Sequence, residues 1–303
     1  MRLNTMPLYK FFQPLSRLVR WFYIQYDCYS SSIVYSSVRS KKHNPQKSVS
    51  ALLLAINQSE LRKNTEDIVD IFIEKNIDVY IINNQILEKK SKIPIAQASY
   101  LEHLEYGMDF ASYKIAIDSF INIDHYKTIY LLNDSVFCEP QLFKNFLSEI
   151  LDNTDDVLGA TLSDEYFPHI QSYFFKINFK SKMIKKDFIS FFQKFKFYKC
   201  RENVISYGEI AFSRWMSRNY KIKSFFNIDK LKISEKDLKR KYIKSPVHAF
   251  PFTLAEINFP FIKLRLYKDG LIDMQEVNQL ASYYDQSSMG NLRGLLINYS
   301  KSR

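Results

Sequence analysis

The sequence predicts an α/β fold in which a mainly parallel sheet is flanked by helices on both faces. Short apolar runs alternate with amphipathic stretches between Ser48 and Ser163. That rhythm of strand, helix and strand gives parallel neighbours through short, right-handed crossovers. The composition supports it, because 46% hydrophobic residues in a chain of 303 suffice for a sizeable core and exclude intrinsic disorder.

Residues 1–48 read as an appendage. Leu3, Leu8, Phe11, Phe12, Leu15, Leu18, Val19 and Phe22 recur at roughly helical spacing, with Lys10, Arg17 and Arg20 between them. A hydroxyl-rich stretch around Ser30–Ser37 and the basic run Arg39-Ser40-Lys41-Lys42 lead from it into the body. Two readings stand: a helix lying on an anionic membrane surface, or a helix packed on the main domain with its charges solvated.

The body spans 49–270. Val49 to Ile56 suits a buried strand, and Leu61, Ile68, Ile71 and Phe72 mark a helix over Ser59 to Lys75. Asp78 to Ile82, Thr128 to Leu132 and Val157 to Leu162 read as further strands; Phe110 to Ile123 and Gln141 to Leu151 read as helices. Ile170 to Ile177 suits an added antiparallel strand. The part that follows is basic and helical, with helices over Lys182 to Lys199 and Tyr207 to Arg218. Residues 271–303 form a C-terminal tail.

Several function classes drop out. Six glycines and no Gly-rich phosphate loop argue against Walker-type and dinucleotide sites. Cys28, Cys138 and Cys200 are odd in number and widely spaced, which gives neither a zinc pattern nor a disulfide framework and favours a reducing, cytoplasmic setting. No apolar run reaches the length of a membrane span, and the N-terminus shows no clear signal cleavage site. The formal charge of +11 raises nucleic acid as a partner. However, Phe188, Phe191, Phe192, Phe195 and Phe197 are spaced as one buried helical stripe, so no nucleic acid is expected.

Ligands of an open α/β sheet sit beyond the carboxyl ends of its strands. Those ends carry Asn57-Gln58, Asn83-Asn84, Asn133-Asp134-Ser135 and Ser163-Asp164-Glu165. As ordinary turn residues and caps they need no shared role; as one set they line a crevice. Asp134, just past a buried strand, has the hard oxygens that suit Mg²⁺ or Mn²⁺ against a diphosphate. Asp109 and Lys114 lie in a helix that begins after Gly107, with Asp109 placed as its cap. Period-two alternation sets His169, Gln171 and Tyr173 on one strand face. Glu209 falls at a helix start, and His248 reads as a surface histidine.

In this order the segments resemble the rhamnan synthesis protein F family of bacterial glycosyltransferases. The residues that carry the likeness are Gly107-Met108-Asp109-Phe110-Ala111-Ser112-Tyr113-Lys114 and Tyr130-Leu131-Leu132-Asn133-Asp134-Ser135-Val136-Phe137. His169-Ile170-Gln171-Ser172-Tyr173-Phe174 and Phe259-Pro260-Phe261-Ile262-Lys263 complete it, over roughly Ser48 to Asp269. The chain departs from the family at Leu104-Glu105, where a basic residue and Asn are usual, and at Tyr113, where Trp is usual.

The resemblance implies a GT-A-like, Rossmann-like fold and transfer of a sugar, typically rhamnose, from a nucleotide donor such as dTDP-rhamnose. The acceptor would be a lipid-linked or growing surface glycan: O-antigen, capsule or rhamnan. Work of that kind places the protein in the cytoplasm, peripheral on the inner face of the membrane. Asp109, Lys114, Asn133, Asp134, Ser135 and Gln171 are then expected at the donor, with Asp134 as the ligand of any Mg²⁺ or Mn²⁺. Asp164, Glu165, His169 and Glu209 are the candidates for the catalytic base. Other readings are an inactive transferase-like partner in an assembly complex and, further off, a basic nucleic-acid-binding protein.

Overall fold

The computed structural model describes residues 39–42, 48–87, 97–104, 107–284 and 286–301. The expected N-terminal helix lies outside them, as do Glu105 and Tyr106. In chain order the first half contains β1 (Arg39–Lys41), β2 (Ser50–Ile56), α1 (Lys63–Glu74), β3 (Asp78–Asn83), β4 (Ser99–Glu102) and α2 (Met108–Ile115). There follow β5 (Thr128–Asn133), β6 (Val136–Cys138), α3 (Pro140–Leu151), β7 (Val157–Gly159), β8 (Leu162–Ser163), β9 (His169–Ile170) and β10 (Phe174–Asn178). Beyond these come α4 (Lys182–Lys194), α5 (Arg201–Val204), α6 (Ala211–Met216), β11 (Ile222–Ser224), α7 (Pro246–Ala249) and α8 (Pro251–Glu256). The last elements are β12 (Phe261–Lys263), α9 (Arg265–Lys268), α10 (Met274–Ala281) and α11 (Gln286–Lys301).

Eight strands form one sheet in the order β1-β4-β3-β2-β5-β10-β7-β11. Its centre is parallel: β4 on β3, β3 on β2 and β2 on β5. This is the mixed α/β class the alternation predicts. β10 runs antiparallel between β5 and β7, the orientation expected for the strand over Ile170 to Ile177, and β1 is an antiparallel edge. The basic run expected to lead into the body therefore includes a strand. Lysines suit an exposed edge because they discourage further pairing.

Alternation along β2 explains the two-sided core. Leu53 and Ala55 face Phe110 and Tyr113 of α2 and Phe188 and Phe192 of α4. Leu52, Leu54 and Ile56 face Ile68 and Phe72 of α1 and Phe143 and Leu147 of α3. All five strand residues are almost fully buried, which is why the run is continuously apolar. Phe188, Phe191, Phe192 and Phe195 are buried too, so these rings are packed in the core and not set out for stacking on bases.

Two buried lysines close helix ends. Lys176 on β10 donates to the carbonyls of Ile150, Leu151 and Asn153 at 2.6, 3.0 and 2.8 Å. Lys114 donates to those of Phe192 and Gln193 at 2.9 and 3.0 Å. Each adds a cationic donor to carbonyls at a helix C-terminus, where positive charge is favoured. The C-terminal tail of the sequence reading is built of helices: Val277 and Leu280 of α10 and Leu292 and Leu296 of α11 bury against Phe137, Phe252 and Leu266. No helix among the described residues is long and apolar enough to cross a membrane.

Candidate active site

The sheet changes direction of connection at β2, which pairs with β3 on one side and β5 on the other. A crevice must open beyond the carboxyl ends of those strands, and it does. A cleft of about 180 Å³ is lined there by Asn57, Asn84, Asp109, Asn133, Asp134 and Ser135. Gln171, Ser172, Glu209 and the cationic side chains of Arg201, Lys263 and Arg265 also border it.

Local backbone geometry places each side chain. Ala55 pairs with Asn133 across the two strands, so both tips end at one level. Asp134 then ties them together. Its Oδ2 accepts from the Asn57 N–H and from Gln58 Nε2, both at 3.0 Å, and faces the Arg62 guanidinium at 3.5 Å. Asn133 donates to Asp109 Oδ2 at 2.6 Å, while its own oxygen accepts from the Ser135 hydroxyl and, at 3.1 Å, from the Ser135 N–H. Lys263 donates to Ser135 Oγ at 2.7 Å. A relay thus runs Lys263–Ser135–Asn133–Asp109.

Asp109 reaches this relay because Gly107 and Met108 adopt φ of +111° and +52°. The left-handed pair turns the chain into α2 and aims Asp109 at Asn133. Gly107 is the N-cap residue, with no side-chain cap hydrogen bond; Asp109 therefore does not serve as the expected cap. Burial and the nearby Glu209 push its carboxyl up to about 6, against the pull of Ser172, Asn133 and Lys263. Desolvation pulls the Lys263 ammonium down to about 8, opposed by Glu209 and Asp109. Burial also drives His248, at the cleft wall, down to about 3, and its Nδ1 lies 2.7 Å from Ser245 Oγ.

Glu209 sits in a π-helical segment, Ile205–Ile210, between α5 and α6, and not at a helix start. Such single-turn widenings often mark functional positions. Gly208 allows it: a Cβ there would lie 2.8 Å from the Phe110 ring. Glu209 Oε1 accepts the Ser172 N–H at 2.9 Å. The alternation expected over His169, Gln171 and Tyr173 fails because a turn at Ser172 and Tyr173 separates β9 from β10. Gln171 still borders the cleft, held by Thr161 Oγ1 at 2.7 Å and Ser245 Oγ at 2.9 Å.

Four expected site residues are not cleft-lining. The Lys114 ammonium is spent on helix carbonyls and on Asp118 at 3.0 Å. Asp164 and Glu165 are exposed on the loop after β8. His169 is buried, its Nδ1 2.6 Å from the Phe167 carbonyl oxygen and its Nε2 3.9 Å from Glu209 Oε2. Of the base candidates, Glu209 alone borders the cleft. Sequence reading gave no site role to Lys263, on β12, which pairs antiparallel with β6 through Lys263↔Val136, or to Arg265, the first residue of α9. It also missed Arg201, at the start of α5.

No protein-family model matches the chain, and no curated protein matches it. Two solved structures share parts of its shape at low similarity. A mannosyltransferase from Pyrobaculum calidifontis in complex with GDP-mannose and Mn²⁺ aligns over 95% of this chain and 84% of its own, at 7% identity and a TM-score of 0.34. A protein described as A197 from STIV aligns over 52% of this chain and 78% of its own, at 11% identity and a TM-score of 0.25.

The expected divalent cation at Asp134 meets a donor set that does not suit it. One oxygen of the single carboxylate already serves two N–H donors and a guanidinium, and the neighbouring Ser135 hydroxyl holds an ammonium. Among the described residues no three His, Cys, Asp or Glu side chains converge on a common point. Hard dications favour several anionic or carbonyl oxygens and are repelled by adjacent cations.

Proposed function

We propose that the chain is a glycosyltransferase of GT-A-like architecture, moving a sugar from a nucleotide donor to a growing glycan. One observation carries this reading: a single cleft at the switch point of the sheet combines a carboxylate able to take a proton with cations able to hold a diphosphate. Glycosyl transfer needs both groups within reach of one anomeric carbon.

In the step itself, the bond from the sugar C1 to the β-phosphate oxygen breaks and its electron pair stays on the phosphate. The acceptor oxygen bonds to C1, and its proton passes to Glu209, fixed by the Ser172 N–H. Gln171, held by Thr161 and Ser245, keeps amide capacity for a sugar hydroxyl. Asn57 and Asn84, at the tips of β2 and β3, suit the nucleoside. Rhamnose is the sugar and dTDP-rhamnose the donor that the motif resemblance favours, with a lipid-linked or growing surface polysaccharide as acceptor at the inner membrane face.

The test is release of nucleoside diphosphate from a panel of nucleotide sugars incubated with lipid-linked glycan acceptors. Turnover with dTDP-rhamnose is expected, and loss of about 100-fold or more in Glu209→Gln. Turnover unchanged in that variant would remove Glu209 from the mechanism; no turnover with any donor and acceptor would remove the function.

A further inference from the structure

We propose that Lys263, aided by Arg201 and Arg265, supplies the positive charge on the leaving diphosphate that a divalent cation would otherwise supply, so that donor binding is independent of Mg²⁺ and Mn²⁺. The inference rests on the glycosyltransferase reading and deepens it.

Placement is the first argument. Lys263 ends β12, and its pairing with β6 fixes the backbone beside the Asn133-Asp134-Ser135 tip. Its ammonium is anchored to Ser135 Oγ at 2.7 Å and borders the same cleft as Asp134. A lysine has three donors; one is used by Ser135, which leaves others for phosphate oxygens. As the C1–O bond breaks, the charge that develops on the phosphate meets a cation already in position, with no solvent to reorganise.

The carboxylate that would face a metal is already engaged within the fold. Asp134 Oδ2 is committed to Asn57, Gln58 and Arg62, so one of its two oxygens already has its partners within the fold. It acts as a clasp between two strand tips. A dication there would meet Arg62 on one side and the ammonium on Ser135 on the other.

Two further cations, Arg201 and Arg265, border the cleft with Lys263. Arg201 lines the cleft and makes no ion pair among the described residues. Arg265 forks onto Asp269, with contacts of 2.9 to 3.2 Å, and still borders the cleft. Burying such groups together disfavours their charged forms, and Lys263 is lowered accordingly. An anionic ligand reverses that penalty, because opposite charge within a few ångströms favours the ionised ammonium.

Isothermal titration of the full chain with dTDP, UDP and GDP separates the possibilities. For whichever nucleotide binds, the dissociation constant in EDTA is expected to match that in Mn²⁺ within a factor of about two. Lys263→Met, chosen to keep the stem packed, and Lys263→Ala should weaken binding about 10- to 100-fold, the loss of one charge-assisted hydrogen bond to a phosphate. Lys263→Arg should retain most of it. Circular dichroism and thermal melting identify folded variants. Binding only with Mn²⁺, or undiminished binding in folded Lys263→Met, overturns this inference and leaves sugar transfer standing. Absence of binding by all three nucleotides in both buffers overturns the glycosyltransferase reading and this inference with it.

Discussion

At the scale of single residues, Asp134 has a different task from the one its place after a strand suggests. It joins the tips of β2 and β5 and the start of α1 through three nitrogen partners. Asp134→Ala strips a carboxylate from partly buried donors and is expected to cost about 1–3 kcal/mol of stability. Urea denaturation measures this, and an unchanged midpoint would return Asp134 to a purely ligand-binding role. Asp109 acts through its protonation. Its folded-state value of about 6 lies above that of an unfolded carboxylate. The native state therefore holds a proton that the unfolded chain has released. That contribution is full below about pH 4 and lost as pH rises through about 6. Asp109→Asn keeps the oxygen that accepts from Asn133, so it should be more stable than wild type at pH 8, with no such gain at pH 4. For Lys263, held near 8, nucleoside diphosphate affinity should fall as pH rises past about 8, and this slope should vanish in Lys263→Met.

At the scale of elements, the widened turn Ile205–Ile210 and the left-handed entry to α2 depend on each other. Gly208 lets Phe110 sit against the π-helical segment, and Phe110 follows Asp109 in α2. Gly208→Ala is expected to destabilise the fold by about 1–3 kcal/mol through overpacking and to lower transfer more than stability alone explains. Comparison of turnover and melting temperature in the same preparation checks this. Elements with one strong period were legible in sequence. β2, β3, β5 and α3 lie within a residue of the expected bounds, because continuous apolar runs and helical spacing leave few alternatives. The stretch from Phe110 to Ile123 was read as one helix; α2 instead passes into a π-helical turn, Ala116–Phe120, and a short 3₁₀ turn. Hydrophobic spacing does not separate these, since all three bury the same face. β4 escaped because four residues with a buried Glu102 do not resemble a strand.

For the molecule as a whole, a third of the named site residues came from chain positions that only tertiary pairing brings near. Asn133, Asp134, Ser135, Asp109, Gln171 and Glu209 were legible through strand ends and motif order. Arg265 and Arg201 were not, and Lys263 stood in the closing motif without a site role, since nothing local marks a lysine on a three-residue strand as the neighbour of Ser135, 128 positions earlier. Lys114 misled for the converse reason: its charge, suited to a phosphate, is satisfied by carbonyls of a helix distant in sequence. The C-terminal helices belong to this scale too. Leu292 and Leu296 are fully buried, and Ser288 donates to Glu139 at 3.1 Å. Leu292→Ala should cost about 2–4 kcal/mol, seen as an earlier urea midpoint; a neutral result would show that α11 is dispensable to the body.

Hydrogen exchange read by mass spectrometry, with and without dTDP-rhamnose, bears most directly on the claim that one cleft at the strand tips holds the activated sugar. Slower exchange is expected together in three separated segments, around 107–112, 133–136 and 201–209, while the outer strands β1 and β11 stay unchanged. Protection confined to a single segment, or falling elsewhere on the surface, would contradict it.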